Sequence, residues 1–195
     1  MPEKKSKKFS YADDWVIVTR HKILEVTEEI LTTELTPLGE YFRKWRLQIN
    51  VSKTEASYFH LNNKMANREL QIYFEDNLIA HNKNPKYLGV TFDRTQSFKQ
   101  HISKVNAKLK MRNNIMQKLC GTTWESLAST LHCSALGLVY AIAEHFARVW
   151  VNNPYVKIID AQVNNTMRII SQTIRSTPIY WLPVLSRIAP PRLHR

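Results

Sequence analysis

Acidic side chains are nearly missing from one half of this 195-residue sequence. Residues 97–195 hold three Asp and Glu against 13 Lys and Arg, whereas residues 1–96 hold 13 against 15. The net charge of +12 therefore sits almost wholly in the second half, and a field of that sign favours a polyanion, either nucleic acid or an acidic membrane surface. Cysteine is scarce too. Cys120 and Cys133 are too few for a disulfide framework and show no C-x-x-C spacing, and the seven histidines never reach zinc-ligand spacing, so reduced, structural thiols are expected. No apolar run reaches the roughly 18 residues that cross a bilayer, and "MPEKKSKKF" lacks the apolar segment of a secretory signal. An intracellular protein, nuclear or cytoplasmic and without a membrane partner, is expected. "KKSKK", Lys4 to Lys8, reads either as a nuclear address or as a loose basic terminus. There is no internal repeat and no low-complexity segment.

What is present is a 44% hydrophobic chain, enough to bury one sizeable core and a smaller second one. The first half reads as α+β. "WVIVTR" has strand character, "HKILEVTEEILTTEL" places Ile23, Ile30, Leu31 and Leu35 on one helical side, and Thr36-Pro37 breaks or kinks it before a second short helix that runs to about Leu47. "QINVSKTEASYFHL" alternates as a strand, "NNKMANRE" is a polar loop, and "LQIYFEDNLIA" and "KYLGVTFD" are extended, with a turn at Asp76-Asn77. Antiparallel strands under one helical layer are implied by this order. From residue 97 the spacing is helical. Phe98, Ile102, Val105, Leu109, Met116 and Leu119 make one stripe that ends at Gly121, and the other faces carry Lys99, Lys104, Lys108, Lys110, Arg112 and Lys118 without an acid among them. A capping box from Thr122 to Glu125 opens a helix with Leu127, Leu131, Leu138, Ile142 and Phe146 inward, and a third helix from Asn153-Pro154 buries Ile159, Val163, Met167 and Ile170. The proline-rich tail is expected as short turns, and the five tryptophans as core or interdomain anchors. Strand spacing and charge change together near residue 96, which suggests a boundary there.

One stretch resists this bland reading. In "KFSYADDWVIV" both parities are apolar, as in the interior of a sheet, yet Asp13 and Asp14 interrupt the run. An unpartnered buried carboxylate costs several kcal/mol, so the pair must sit at a turn, meet basic groups or hold a cation.

"YADD", Tyr11 to Asp14, resembles the metal-binding hairpin of reverse transcriptases. Four residues are a weak signal, but the segments downstream of them keep the family's order: a helix, "RLQINVSKTE", "KYLGVTFD" like the primer-grip hairpin, "FKQHI", a basic helix ending in "LCG" before "TTWE", then "IAEHFARVW" and "RSTPIYWLPVLSRIAPPRLHR". Over nearly its whole length the sequence resembles reverse transcriptases of metazoan non-LTR, Jockey-like retrotransposons.

The resemblance implies an α+β fold, a partial palm over residues 1–96, then an all-α thumb over 97–152 and a helical connection over 153–195. It implies magnesium-dependent, template-directed addition of deoxynucleoside triphosphates on an RNA or DNA template-primer duplex. Two Mg2+ ions about 4 Å apart require hard oxygen ligands, a role the resemblance assigns to Asp13 and Asp14. Lys53 would lie near the outgoing pyrophosphate; its ordinary reading is a solvated surface lysine. Tyr87, Leu88 and Gly89 would position the primer, their ordinary reading being a strand with a bulge. Lys104, Lys108 and Arg112 would line the thumb and contact phosphates without reading sequence.

The family's further catalytic aspartate and nucleotide pocket lie upstream of such a hairpin, and only ten residues precede Tyr11. A polypeptide inactive by itself is expected, with open strand edges where the rest of a palm pairs. Glu125 and Gln172 where the family favours Gly, and Arg148 where it favours Pro, fit a decayed copy. The alternatives are a non-catalytic nucleic-acid-binding remnant and a basic helical interaction protein.

Overall fold

In the computed structural model, which describes residues 6–121 and 126–194, strands β1 (Ser6–Tyr11) and β2 (Asp14–Thr19) pair antiparallel, from Ser6 opposite Thr19 to Tyr11 opposite Asp14. The ribbon lies against helix α1 (Leu24–Lys44), where Trp15 meets Phe42 edge-on at 5.4 Å and Lys8 pairs with Glu34 at 2.7 Å. A covered sheet interior does not form here. With one strand partner and one helix beneath, the ribbon leaves Phe9, Tyr11 and Val18 exposed, Tyr11 at 65%.

Helix α1 runs straight through Pro37 instead of breaking into two helices. Proline removes one helical hydrogen bond, but the inward stripe Leu24, Thr27, Ile30, Leu38, Gly39 and Phe42 keeps its period on both sides, so packing outweighs the local cost. Gly39 lets the Phe74 ring approach; a Cβ there would stand 3.1 Å from it. The expected strand after residue 48 gives way to a tight turn, Val51–Lys53, because the Asn50 side chain accepts the Lys53 N–H and the Ser52 hydroxyl. Beyond it come four two-residue strands, β3 (Glu55–Ala56), β4 (Tyr73–Phe74), β5 (Asn77–Leu78) and β6 (Ala80–His81). They form two separate ribbons, β4 with β5 antiparallel and β3 with β6 parallel. Leu24, Ala56, Leu70, Ile72, Phe74 and Ile79 make the small core of this unit, residues 1–85.

The second unit, residues 86–195, begins before the boundary near residue 96 that spacing and charge suggest. Its first hairpin, β7 (Lys86–Tyr87) and β8 (Val90–Thr91), is held by the helical half, the Thr91 N–H donating to His101 Nδ1 at 3.3 Å. Asp93 then organises the turn that leads into helix α2 (Lys99–Leu119). One carboxylate oxygen accepts the Ser97 N–H and the Ser97 and Thr95 hydroxyls, and the other accepts the Phe98 N–H. Burial works against the charged carboxylate, but the bonds from Ser97, Thr95 and Phe98 outweigh it and hold Asp93 below the usual range.

The capping box at Thr122–Glu125 lies outside the described residues, as does Trp124. The helical stretch after it is broken where a single helix is expected. Helix α3 (Ala128–Ala135) passes into a wider π-helical turn, Leu136–Tyr140, then α4 (Ala141–Ala143), and Phe146 turns left-handed at φ 49° before α5 (Ala147–Trp150). The inward line is therefore Leu131, Ala135, Val139, Ala143 and Ala147, while Leu127 is 74% exposed and Phe146 is exposed. An extra residue in one turn shifts the face that points inward, which a fixed helical period cannot anticipate. Helix α6 (Val156–Ser171) buries Ile159, Val163, Met167 and Ile170 as its spacing indicates, and the tail forms short turns, α7 (Leu182–Ser186) and α8 (Pro191–His194) among them. Residues of α2 and α6 share one core, so residues 97–152 and 153–195 are not separate units. Asn113 ties the two helices: its carbonyl accepts the Thr166 hydroxyl at 2.6 Å and its amide donates to the Gln162 carbonyl at 3.0 Å.

Trp150, 1% exposed, is the core anchor that its sequence context suggests; Trp15, Trp45 and Trp181 are exposed. Both cysteines are free, Cys120 donating to the Ile169 carbonyl and Cys133 lying at the surface.

Candidate functional site

The turn between β1 and β2 has two residues, Ala12 and Asp13, with Ala12 at φ 51°. A positive φ at the first central position matches the twist of a hairpin but strains any residue except glycine. The result is a tip on which Asp13 occupies the turn and Asp14 opens β2, both exposed. Neither carboxylate is hydrogen-bonded or ion-paired among the described residues. Of the three settings that could tolerate the pair, the turn is the one realised, and it leaves two hard oxygen donors free. That donor chemistry fits a divalent cation such as Mg2+. Among the described residues, no group of three or more His, Cys, Asp or Glu could hold a metal ion, so no third such side chain stands with Asp13 and Asp14 there.

Lys53 closes the turn at Val51–Lys53 with its side chain exposed. Its backbone N–H is engaged by Asn50, which fixes where the side chain leaves the chain.

In the second unit the expected residues converge. Tyr87 pairs with Val90, so Leu88 and Gly89 are the two turn residues, at φ 47° and 85°. Both central residues at positive φ make a turn that favours Asn-Gly; leucine in the first place is strained. The hairpin and α2 are joined by Lys104, whose Nζ donates to Thr91 Oγ1 at 3.3 Å, and by His101 at the Thr91 N–H. Lys104, Lys108 and Arg112 recur every four residues and form one stripe along α2, flanking the buried face of His101, Ile102, Val105, Leu109, Asn113 and Met116. The hairpin tip and this cationic stripe thus belong to one body.

Two histidines in this arrangement are not anticipated by the sequence. His101 is 4% exposed, and burial first, then the charges of His145, Lys104 and Lys108, push its pKa below the ordinary histidine value. Because Nδ1 accepts from Thr91, the proton resides on Nε2. His145 Nε2 lies 3.2 Å from the Leu88 carbonyl. His101 falls between Phe98 and Ile102 on the apolar stripe, which was a readable signal; nothing local marks His145.

Comparison with known proteins gives three relatives. The chain is 26% identical over 162 residues to the RNA-directed DNA polymerase from mobile element jockey of Drosophila funebris, a match covering 79% of this chain and 17% of that protein. It is 27% identical over 106 residues to the jockey polymerase of Drosophila melanogaster, covering 53% and 11%. The chain is similar in sequence to the RNA-directed DNA polymerases of these mobile elements. A further relative, "Probable RNA-directed DNA polymerase from transposon X-element" of Drosophila melanogaster, is 25% identical over 108 residues, covering 55% of this chain and 12% of its own. The chain spans less than a fifth of the length of the jockey relatives it matches. No protein-family model and no solved structure matches it. No helix among the described residues is long and apolar enough to cross a membrane.

Proposed function

We propose that this chain is a segment of a jockey-type RNA-directed DNA polymerase that grips a template-primer duplex, with residues 1–96 as part of a palm and the helical remainder as thumb and connection. The observation that carries the reading is the single body made by the Leu88-Gly89 hairpin and the Lys104, Lys108, Arg112 stripe, joined through Thr91. The hairpin would meet the primer strand and the stripe the phosphates, giving affinity without sequence readout.

Asp13 and Asp14 would hold Mg2+ in the complete polymerase, where the ions supply charge stabilisation for transfer of a deoxynucleotide to a primer. The chain's own part is to present those carboxylates unpaired at a strained tip, with Lys53 as a candidate cation for the pyrophosphate. Two carboxylates do not make a two-ion site, so this polypeptide alone is expected not to extend a primer.

The decisive experiment measures binding of the purified chain to an RNA–DNA hybrid duplex across a salt series. Replacing Lys104, Lys108 and Arg112 by Ala should weaken binding and flatten the log–log salt slope by up to about 2.7, three phosphate contacts at about 0.9 each. A slope indifferent to the triple change would reject the reading. A second reading, a nucleic-acid-binding protein without catalysis, is favoured by the lack of a third acid beside Asp13 and Asp14 among the described residues. Supplying the relatives' upstream segment in trans separates the two: primer extension that depends on Asp13 supports the polymerase, and its absence supports the binding protein.

A further inference from the structure

The turn that the functional reading assigns to the primer strand should not hold its shape unaided. Leu88 sits at φ 47° and Gly89 at 85°, and leucine gains nothing from the left-handed region that would offset its strain. A side chain from outside the hairpin reaches both turn residues. The His145 Nε2 is 3.2 Å from the Leu88 carbonyl, and a carbonyl can only accept, so Nε2 carries the proton and donates. The same nitrogen closes over the next residue: a methyl group on Gly89 would stand 2.8 Å from it, nearer than real contacts allow. One ring thus bonds the first turn residue and packs on the bare α-carbon of the second.

His145 is itself held. The buried Trp150 indole donates to the His145 carbonyl at 3.3 Å, and the Phe146 ring stands edge-on to the imidazole at 4.6 Å, with Phe146 in a left-handed conformation that turns the chain at this point. An anchored tryptophan therefore sets a histidine, and the histidine sets the hairpin.

We propose that His145 is a positioning residue for the nucleic-acid strand: it clamps the strained Leu88-Gly89 turn in the conformation that meets the primer, without touching nucleic acid itself. This rests on the reading that the hairpin faces a primer strand. The clamp also explains why residue 89 has to be glycine for two reasons, its backbone angle and the ring lying over it.

The test uses the full chain, a fluorescein-labelled RNA–DNA hybrid duplex at low salt, and backbone amide exchange at Gly89 and Val90. His145→Ala is expected to weaken duplex binding about fivefold, the worth of one ordinary hydrogen bond, and to speed exchange in the turn. His145→Gln, whose amide nitrogen can reach the Nε2 position, is expected to restore affinity to within about twofold of wild type. Unchanged affinity in His145→Ala, or a Gln variant no better than Ala, overturns the proposal. Should His145→Ala not fold, Gly89→Ala presses on the same ring from the other side, and wild-type affinity in that variant overturns it equally. If the wild-type chain binds no duplex, the functional reading fails instead, and amide exchange in the same variants still decides whether His145 fixes the turn.

Discussion

The backbone N–H of Thr91 donates to Nδ1 of His101 at 3.3 Å, a bond that exists only while His101 is neutral. Protonation would turn the acceptor into a donor facing a donor and place a charge in the interior, beside His145, Lys104 and Lys108. The folded-state pKa of His101 therefore lies below its unfolded value near 6.5. The unfolded chain binds this proton first as pH falls, so the contribution to stability is complete above about pH 6.5 and declines as pH drops through the folded pKa. Urea unfolding from pH 7.5 to 5 should show a falling midpoint. In His101→Asn, which keeps an acceptor near Thr91 but cannot titrate, the fall should be shallower. Equal slopes in the two proteins would count against a titrating His101.

Ala12 carries the strain of the β1–β2 turn at φ 51°. Glycine there relieves it at an entropic cost to the folded state, with a net gain of about 0.5 kcal/mol. Ala12→Val should lose more than about 1 kcal/mol, since a β-branched residue tolerates positive φ least. Thermal unfolding of the two variants should bracket the wild type.

Asp13 and Asp14 are exposed, so Asp13→Ala and Asp14→Ala should leave stability within about 0.5 kcal/mol of wild type. Mn2+ as a paramagnetic stand-in for Mg2+ should broaden the amide signals of the 11–15 turn, and the double alanine variant should abolish the effect. Broadening centred elsewhere would show that the tip is not where a dication goes.

The Thr166 hydroxyl supplies the bond to the buried Asn113 carbonyl. Thr166→Val keeps the shape and strands that oxygen, at a cost of about 1–3 kcal/mol. Restoring an apolar pair with Asn113→Leu in the same chain should recover part of the loss, read as a positive coupling in a double-mutant cycle of denaturation free energies.

Where a helix is long and its apolar period unbroken, the sequence spoke clearly: α2 and α6 bury Ile102, Val105, Leu109, Met116, Ile159, Val163, Met167 and Ile170 as their spacing indicates. The turn at Asp13 and the basic stripe of α2 were legible for the same reason, since each needs only local order. Three kinds of feature were not. Pro37 inside α1 reads as a break because local cost is visible in a sequence and the packing that offsets it is not. The π-helical turn at Leu136–Tyr140 shifts the inward face by adding a residue to one turn, and no periodic count foresees it. The His145 contact with Leu88 joins residues 57 apart, and only the folded chain brings them together.

The β1–β2 ribbon, with Phe9, Tyr11 and Val18 in water and a single strand partner, has a bearing on handling. Its outer margins, paired with no further strand among the described residues, lie beside greasy rings, the combination that recruits a neighbouring molecule into intermolecular pairing. Concentrated preparations should cloud first through this ribbon, and a lysine placed at Phe9 would keep them clear.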